Sequence, residues 1–325
     1  MNTARSTILA PAIIEACRVV WPDAADVVAS EPRSGRGVWR VRPVDGARAG
    51  EPPTAVLKLP PEDPVVRRFK EGLGLPGVER SVYRRLRGTA MFRVPRFYAD
   101  VVLADGGRGM LIEDMGAADP DAAPDPDQAL LALGEFHAQY WANEPARFEW
   151  LPREDDPRRV RALAALLSQE LLDGSWLPVG IRRDSARMVR AFPRLMADLA
   201  SRPSGISHGD LHRGNVVALG VHVAAVDWEA CTRAASLLDV VCLGSDLGVG
   251  ADHALSRFAL GLESGGRSVP GGLNDDLDRC LVVHLLKRAA LSGSWLGRLP
   301  DDAGLRHLVA SIEQRDALRV LDRHE

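Results

Sequence analysis

Residues 208–215 read His-Gly-Asp-Leu-His-Arg-Gly-Asn, and Asp227-Trp228-Glu229 follows after two short apolar runs. Two imidazoles, three carboxylates and one carboxamide therefore fall close together in the chain. Such groups can accept protons and can offer hard oxygen ligands to a divalent cation. A histidine, an aspartate two residues on and an asparagine five residues after that would recur by chance only about 0.01 times at this composition, so the spacing itself is informative. Lysine is a second signal. Of the 41 basic residues only Lys58, Lys70 and Lys287 are lysines, and Lys58 stands inside the apolar run Ala55-Val56-Leu57-Lys58-Leu59. A chain that uses arginine almost everywhere has kept a compact ammonium there. Burying it requires a partner, and the alternative is a strand lysine that snorkels to water.

The stretch His208 to Asn215 resembles the kinase pattern H-R-D-L-x-x-x-N followed by D-F-G. With Val226-Asp227-Trp228-Glu229 it is more specifically similar to the aminoglycoside phosphotransferase and choline-kinase-like family. The resemblance extends through most of the chain: Lys58 matches the lysine strand, Glu79 the glutamate of the following helix, Leu111 to Gly116 the interlobe connection, and Leu131 to Trp141 the first long helix of the second lobe. It implies an α+β, bilobal protein-kinase-like fold with a small β-rich N-terminal lobe and a larger, mainly helical C-terminal lobe. It also implies transfer of the γ-phosphoryl group of ATP or GTP to a hydroxyl of a small molecule. The acceptor would be an antibiotic, a sugar or an amino alcohol, with antibiotic resistance as one role.

Roles follow from the same resemblance. Asp210 would accept the hydrogen bond and then the proton of the acceptor hydroxyl. Asn215 and Asp227 would hold Mg2+, since carboxylates this close repel one another without a metal. Lys58 would contact the α- and β-phosphates, with Glu79 as its partner. Gly35 and Gly37, in Ser34-Gly35-Arg36-Gly37-Val38, would present backbone N–H groups to phosphate, and Glu113 and Met115 would meet the purine through the backbone. Supporting places fall to His208 as a structural histidine, and to His212, which stands where protein kinases usually carry lysine. Glu229 replaces the glycine of D-F-G and would touch the metal, a second cation or a hairpin-end partner. Trp228 is read as packing, Asp239 as an anchor of the loop and His137 as a core histidine. The chain departs from the pattern in lacking a full G-x-G-x-x-G, and in placing Arg213 where the family often has proline. A catalytically silent nucleotide-binding module would lack one of Lys58, Asp210, Asn215 or Asp227, and all four are present. A protein kinase would carry D-F-G and A-P-E segments, which are absent.

The elements that must position these groups divide at about residue 115. Candidate strands are 37–42, 54–59, 97–103 and 110–113, with a helix over 77–86 between the second and third. The expected domains are 1–115, a nucleotide-binding lobe, and 116–325, a catalytic and substrate-binding lobe. Beyond the Pro/Asp/Ala stretch of 117–128, helical periodicity predicts helices over 127–141, 158–172, 184–200 with a kink at Pro193, 236–243, 251–262, 274–291 and 302–322. Asn274 and Asp302 stand where N-caps belong. Among these helices, 215–228 reads as a hairpin turning at Leu219-Gly220.

Composition narrows the partners. The 325 residues are 46% hydrophobic and 26% charged, the proportions of a globular protein. A net charge of −3 argues against nucleic acid as a partner. Residues 1–115 carry 18 basic and 14 acidic groups and 116–325 carry 23 and 30. A basic first part suits polyphosphate. The acidic residues Asp119, Asp121, Asp125, Asp127 and Glu154 to Asp156 could attract a cationic acceptor, and Trp176 and Trp295 could stack on a flat ring; solvated loops and core packing are the plainer readings. No uncharged stretch approaches the roughly 18 apolar residues of a membrane span, and the N-terminus reads as a helix rather than a signal peptide, so a cytoplasmic address is expected. The four cysteines are too scattered for a metal site or a disulfide framework. Oligomeric state leaves no mark on the sequence.

Overall fold

The computed structural model describes residues 7–8, 11–30, 37–61, 63–75, 77–116, 124–140, 148–167, 172, 177–202, 205–235, 237–269, 271–296 and 303–324. Gly35, Asp119, Asp121, Trp176 and Asp302 lie outside them, as does the side chain of Trp295. The chain forms two compact units, one of residues 1–71, 80–87 and 94–120, the other of 72–79, 88–93 and 121–325. Segments 72–79 and 88–93, which a single boundary at 115/116 would assign to the first part, belong to the second. For 88–93 the reason is strand pairing, described below.

In chain order the N-terminal region contains β1 (Thr7–Ile8), α1 (Pro11–Cys17), β2 (Val27–Ser30), β3 (Val38–Pro43), β4 (Ala55–Lys58), α2 (Pro64–Gly72), α3 (Val78–Arg85), β5 (Phe92–Arg93), β6 (Phe97–Val102) and β7 (Arg108–Glu113). Six strands form one antiparallel sheet in the order β1-β2-β3-β4-β7-β6. Side chains of a strand alternate between faces. In β4, Ala55 and Leu57 are fully buried in the core built with Val41, Leu111, Val101, Trp21 and the Ile13 and Cys17 of α1, and Lys58 takes the opposite face. Burial pushes the Cys17 thiol up to about 11, so it is an apolar side chain rather than a nucleophile.

The second unit holds α4 (Pro126–Tyr140), α5 (Pro157–Leu166), α6 (Val179–Ala200), β8 (Gly205–Ser207), β9 (Val216–Leu219), β10 (His222–Ala225), β11 (Thr232–Ala234), α7 (Leu237–Asp246), α8 (Ala251–Ser264), α9 (Leu273–Leu296) and α10 (Ala303–Gln314). The hairpin β9–β10 turns at Gly220, whose φ of 66° suits a residue without Cβ, and β5 adds to it in parallel, Phe92 opposite Val223. Phe92, Phe136 and Trp228 then pack ring against ring under the hairpin. β8 and β11 pair antiparallel, Ser207 opposite Thr232.

Helix ends differ from the periodicity in instructive places. Asp156 caps α5 through the N–H groups of Arg158 and Arg159, but the helix stops at Leu166 because Leu167 is extended. α9 begins at Leu273, after Gly272 at φ 82°, so Asn274 stands inside the helix rather than at its N-cap position. The final helix breaks at Asp316, φ 50°, and continues as a 3-10 helix over Ala317–His324. α6 runs on through Pro193. All four cysteines are free and buried, and among the described residues no helix is long and apolar enough to cross a membrane.

Candidate active site

The loop after β8 is built around one buried carboxylate. Asp239, on the first turn of α7, accepts from the Ser207 hydroxyl (2.9 Å) and from the backbone N–H groups of His208 (2.7 Å) and Gly209 (3.1 Å). His137 of α4 lies 3.5 Å away on its other side. Burial alone would raise this carboxyl, but the nearby His137 imidazole and the His208 N–H outweigh it and hold it below the usual range. The aspartate read as an anchor is thus the group that bends the chain into the loop. Gly209 completes the bend: it sits at φ 82°, and a Cβ there would come within 2.3 Å of the Ala230 carbonyl.

His208 is enclosed, with its ring 4.5 Å from that of Trp228 and Nε2 2.9 Å from the Val226 carbonyl. A carbonyl can only accept, so Nε2 carries the proton, and burial holds the imidazole below its usual pKa and therefore neutral. His208 supports the loop from inside. Asp210, one step further, is half-exposed, with 54% of its side chain open.

The Asn215 side-chain amide donates to the Asp210 carbonyl at 2.9 Å. That commits the nitrogen and leaves the amide oxygen as the group that can act as a ligand. The Asn215 carbonyl in turn accepts from Val226 N–H at 2.9 Å, tying the loop to the end of β10. His212 Nδ1 accepts from Gly214 N–H at 3.0 Å, so in the neutral ring its proton is on Nε2, 3.9 Å from Asp210 Oδ2. Arg213 N–H donates to Asp246 at the end of α7, 2.8 Å, a contact that nothing in the motif announces.

Asp227 leaves β10 in the left-handed region, φ 65° and ψ 56°, which a residue with a Cβ adopts at a cost and which marks a place where the surroundings dictate the backbone. Its carboxylate gathers with Glu79 and Glu229: one oxygen of each lies within 4.8 Å of the others. An all-oxygen set of this charge fits a hard divalent cation such as Mg2+, and the free oxygen of Asn215 is of the same kind. The sequence reading placed Glu79 only as a partner for Lys58; its membership of this acidic group is new, because residues so distant in the chain carry no shared spacing.

In the first unit, Lys58 ends β4 opposite Val38 and Met110. Gly37 sits at φ 68° with its carbonyl accepting from Leu59 N–H at 2.7 Å, so a glycine is required where the chain closes on the end of the lysine strand. Gly35 lies outside the described residues. Glu113 ends β7 with its carboxylate accepting from Arg96 N–H at 3.1 Å, and Met115 is buried. Asp114 between them is held by Arg40, Thr54 and Gly116.

The fold of the chain recurs in solved structures. Choline kinase from Cryptosporidium parvum is similar at 11% identity with a TM-score of 0.56, over 95% of this chain and 96% of that one. An aminoglycoside phosphotransferase from Alicyclobacillus acidocaldarius aligns at 16% and 0.52, over 99% and 98%. Amicoumacin kinase in complex with AMP-PNP, Ca2+ and Ami aligns at 16% and 0.53, over 96% and 88%. Identities this low show the fold, which is protein-kinase-like. No curated protein sequence matches the chain significantly. Residues 33–269, which carry both Lys58 and the whole stretch from His208 to Glu229, match the phosphotransferase enzyme family, and the chain belongs to that family.

Proposed function

We propose that this protein is a Mg2+-dependent small-molecule kinase. It moves the γ-phosphoryl group of ATP or GTP to a hydroxyl of an antibiotic, sugar or amino-alcohol acceptor. The observation that carries the reading is the fixed turn from His208 to Asn215. Asp239 holds its first half and the Asn215 amide its second, so Asp210 is left half-exposed and already shaped. Preorganisation of this kind is most of what phosphoryl transfer asks of a protein, since the reaction needs alignment and charge neutralisation more than covalent help.

In the proposed step the acceptor oxygen forms a bond to the γ-phosphorus as the bond to the β,γ-bridging oxygen breaks, and the nucleoside diphosphate leaves. Asp210 orients the hydroxyl and takes its proton; His212 Nε2 lies 3.9 Å from its Oδ2. Asn215 and Asp227 hold the cation, with Glu79 and Glu229 able to add oxygen ligands. When bound, Mg2+ neutralises phosphate charge. Lys58 takes the α- and β-phosphates, Gly37 offers its backbone N–H to phosphate, and Glu113 and Met115 offer backbone groups to the purine. The ligands named for the amicoumacin kinase, a nucleotide analogue and Ca2+, support this reading.

A mass-shift screen for added phosphate across antibiotic, sugar and amino-alcohol hydroxyl compounds, run with both ATP and GTP, tests it. One phosphorylated product in the presence of Mg2+ is expected. Asp210→Ala should lower kcat by about 10²–10⁴-fold while nucleotide still binds. Turnover by that variant near the wild-type rate would remove Asp210 from its role.

A further inference from the structure

Asp114 has no role of its own in the segment Leu111 to Gly116, yet it lies between Glu113 and Met115, and only 3% of its side chain is exposed. All four of its hydrogen bonds are made inside the first unit. One oxygen accepts from Arg40 Nε and from the Thr54 hydroxyl at 2.7 Å; the other accepts from Arg40 Nη2 at 3.1 Å and from Gly116 N–H at 3.0 Å. Each partner sits on a different piece of the sheet. Arg40 is in β3 opposite Val56, Thr54 immediately precedes β4, and Gly116, at φ 88°, is where the chain turns away after β7. β4 is the strand that ends in Lys58, and its first residue, Ala55, pairs with Glu113.

One carboxylate therefore cross-links the exit of β7 to the strand that carries the lysine and to its neighbour. The arrangement is costly unless complete, because the enclosed carboxylate is left uncompensated when its half-buried guanidinium partner is lost. Nothing about strand pairing requires it: β4 and β7 are already joined over Ala55 to Lys58. What the cross-link adds is a set conformation for residues 114–116, beyond the last ladder pair.

We propose that Asp114 is a positioning residue for nucleotide: through Arg40 and Thr54 it sets the offset between the backbone of residues 114–116, beyond the last ladder pair, and Lys58. This rests on the reading that those groups meet the purine and the phosphates of one molecule. A span fixed in this way favours a ligand that has both ends, and is indifferent to one that has only phosphates.

The test compares Asp114→Asn, Arg40→Gln and Thr54→Val with the wild-type chain. Affinities for Mg·ATP, Mg·GTP and Mg·tripolyphosphate are measured by calorimetry, alongside melting temperatures. Thr54→Val removes a single hydrogen bond, so it should stay folded and weaken nucleotide by about three-fold. Asp114→Asn and Arg40→Gln should weaken it by about ten-fold or more, with tripolyphosphate affinity unchanged in all three. Folded variants that bind nucleotide as well as wild type would overturn the proposal, as would an equal loss for nucleotide and tripolyphosphate. A wild-type chain that binds no nucleotide would instead overturn the functional reading, and the proposal with it.

Discussion

Asp239 and Asp210 show how one residue type takes two roles according to burial. Asp239 is enclosed and spends its oxygens on Ser207, His208 and Gly209, so it shapes the loop. Asp210 is half-exposed, as the role proposed for it requires. Removing the first should damage the fold around the second. Asp239→Ala leaves two backbone N–H groups and a hydroxyl buried without an acceptor, and should cost at least about 2 kcal/mol. Chemical denaturation checks this, and a variant as stable as wild type would show that water replaces the carboxylate. The motif was legible from types and spacing alone because the groups lie within one short loop. Glu79 was not, since its approach to Asp227 and Glu229 joins α3 to the end of β10 across a long sequence separation.

At the scale of elements, the pairing of α4 with α8 is decided by two glycines. A Cβ on Gly134 would lie 2.2 Å from the Phe258 carbonyl, and one on Gly261 would lie 2.1 Å from the Leu131 carbonyl. The helices therefore touch backbone to backbone, and α4 carries His137 and Phe136 to the loop and the hairpin. Gly261→Ala forces the pair apart. It should destabilise the protein by about 1–3 kcal/mol or more, read as a lower melting temperature; an unchanged melting temperature would mean that the helices adjust freely. The helices and the hairpin were each visible in periodicity and turn residues, but not this contact. A glycine inside a helical pattern shows only a weak helix former, and which surface it lets in depends on the neighbour.

For the molecule as a whole, buried titratable groups decide how stability depends on pH. Burial holds His208 below its usual pKa and pushes His284 of α9, whose Nε2 is buried without a hydrogen bond, down to about 3 from 6.5. Both rings are neutral when folded and take up protons on unfolding once the pH falls below 6.5. Their contribution is complete above that value and is lost on acidification, for His284 by up to about 1.4 kcal/mol per pH unit. Asp114, Asp239 and Glu154 are held below the usual carboxylate range although burial opposes it: hydrogen bonds from Arg40 to Asp114, the His137 imidazole beside Asp239 and the charges of Arg159 and Lys287 on Glu154 prevail. Their contribution is present above the unfolded carboxylate pKa and is lost as the pH falls through the lower folded values. Stability should therefore decline in two stages, histidines first. Urea unfolding of wild type and His284→Leu at pH 7, 6 and 5 checks this; the variant should lose less stability over that interval, and parallel slopes would contradict it.

Lys287 shows where the sequence stops. Its rarity singled out Lys58 in the same way, yet Lys287 is a buried structural cation, 2.6 Å from Glu154, with Arg159 on the other carboxylate oxygen. Rarity raises the question and only the partner answers it. By itself the sequence determined the family, the alternation that puts Lys58 on the face opposite Ala55 and Leu57, and the local loop that sets Asp210 beside Asn215, because these depend on neighbours in the chain. The tertiary structure decided the rest: Asp239 under the loop, Asp246 on Arg213, Glu79 beside Asp227, and Asp114 across three strands. Each depends on groups brought from distant segments, and for the enclosed Asp239 and Asp114 the desolvation that makes their donors necessary exists only once the chain has folded.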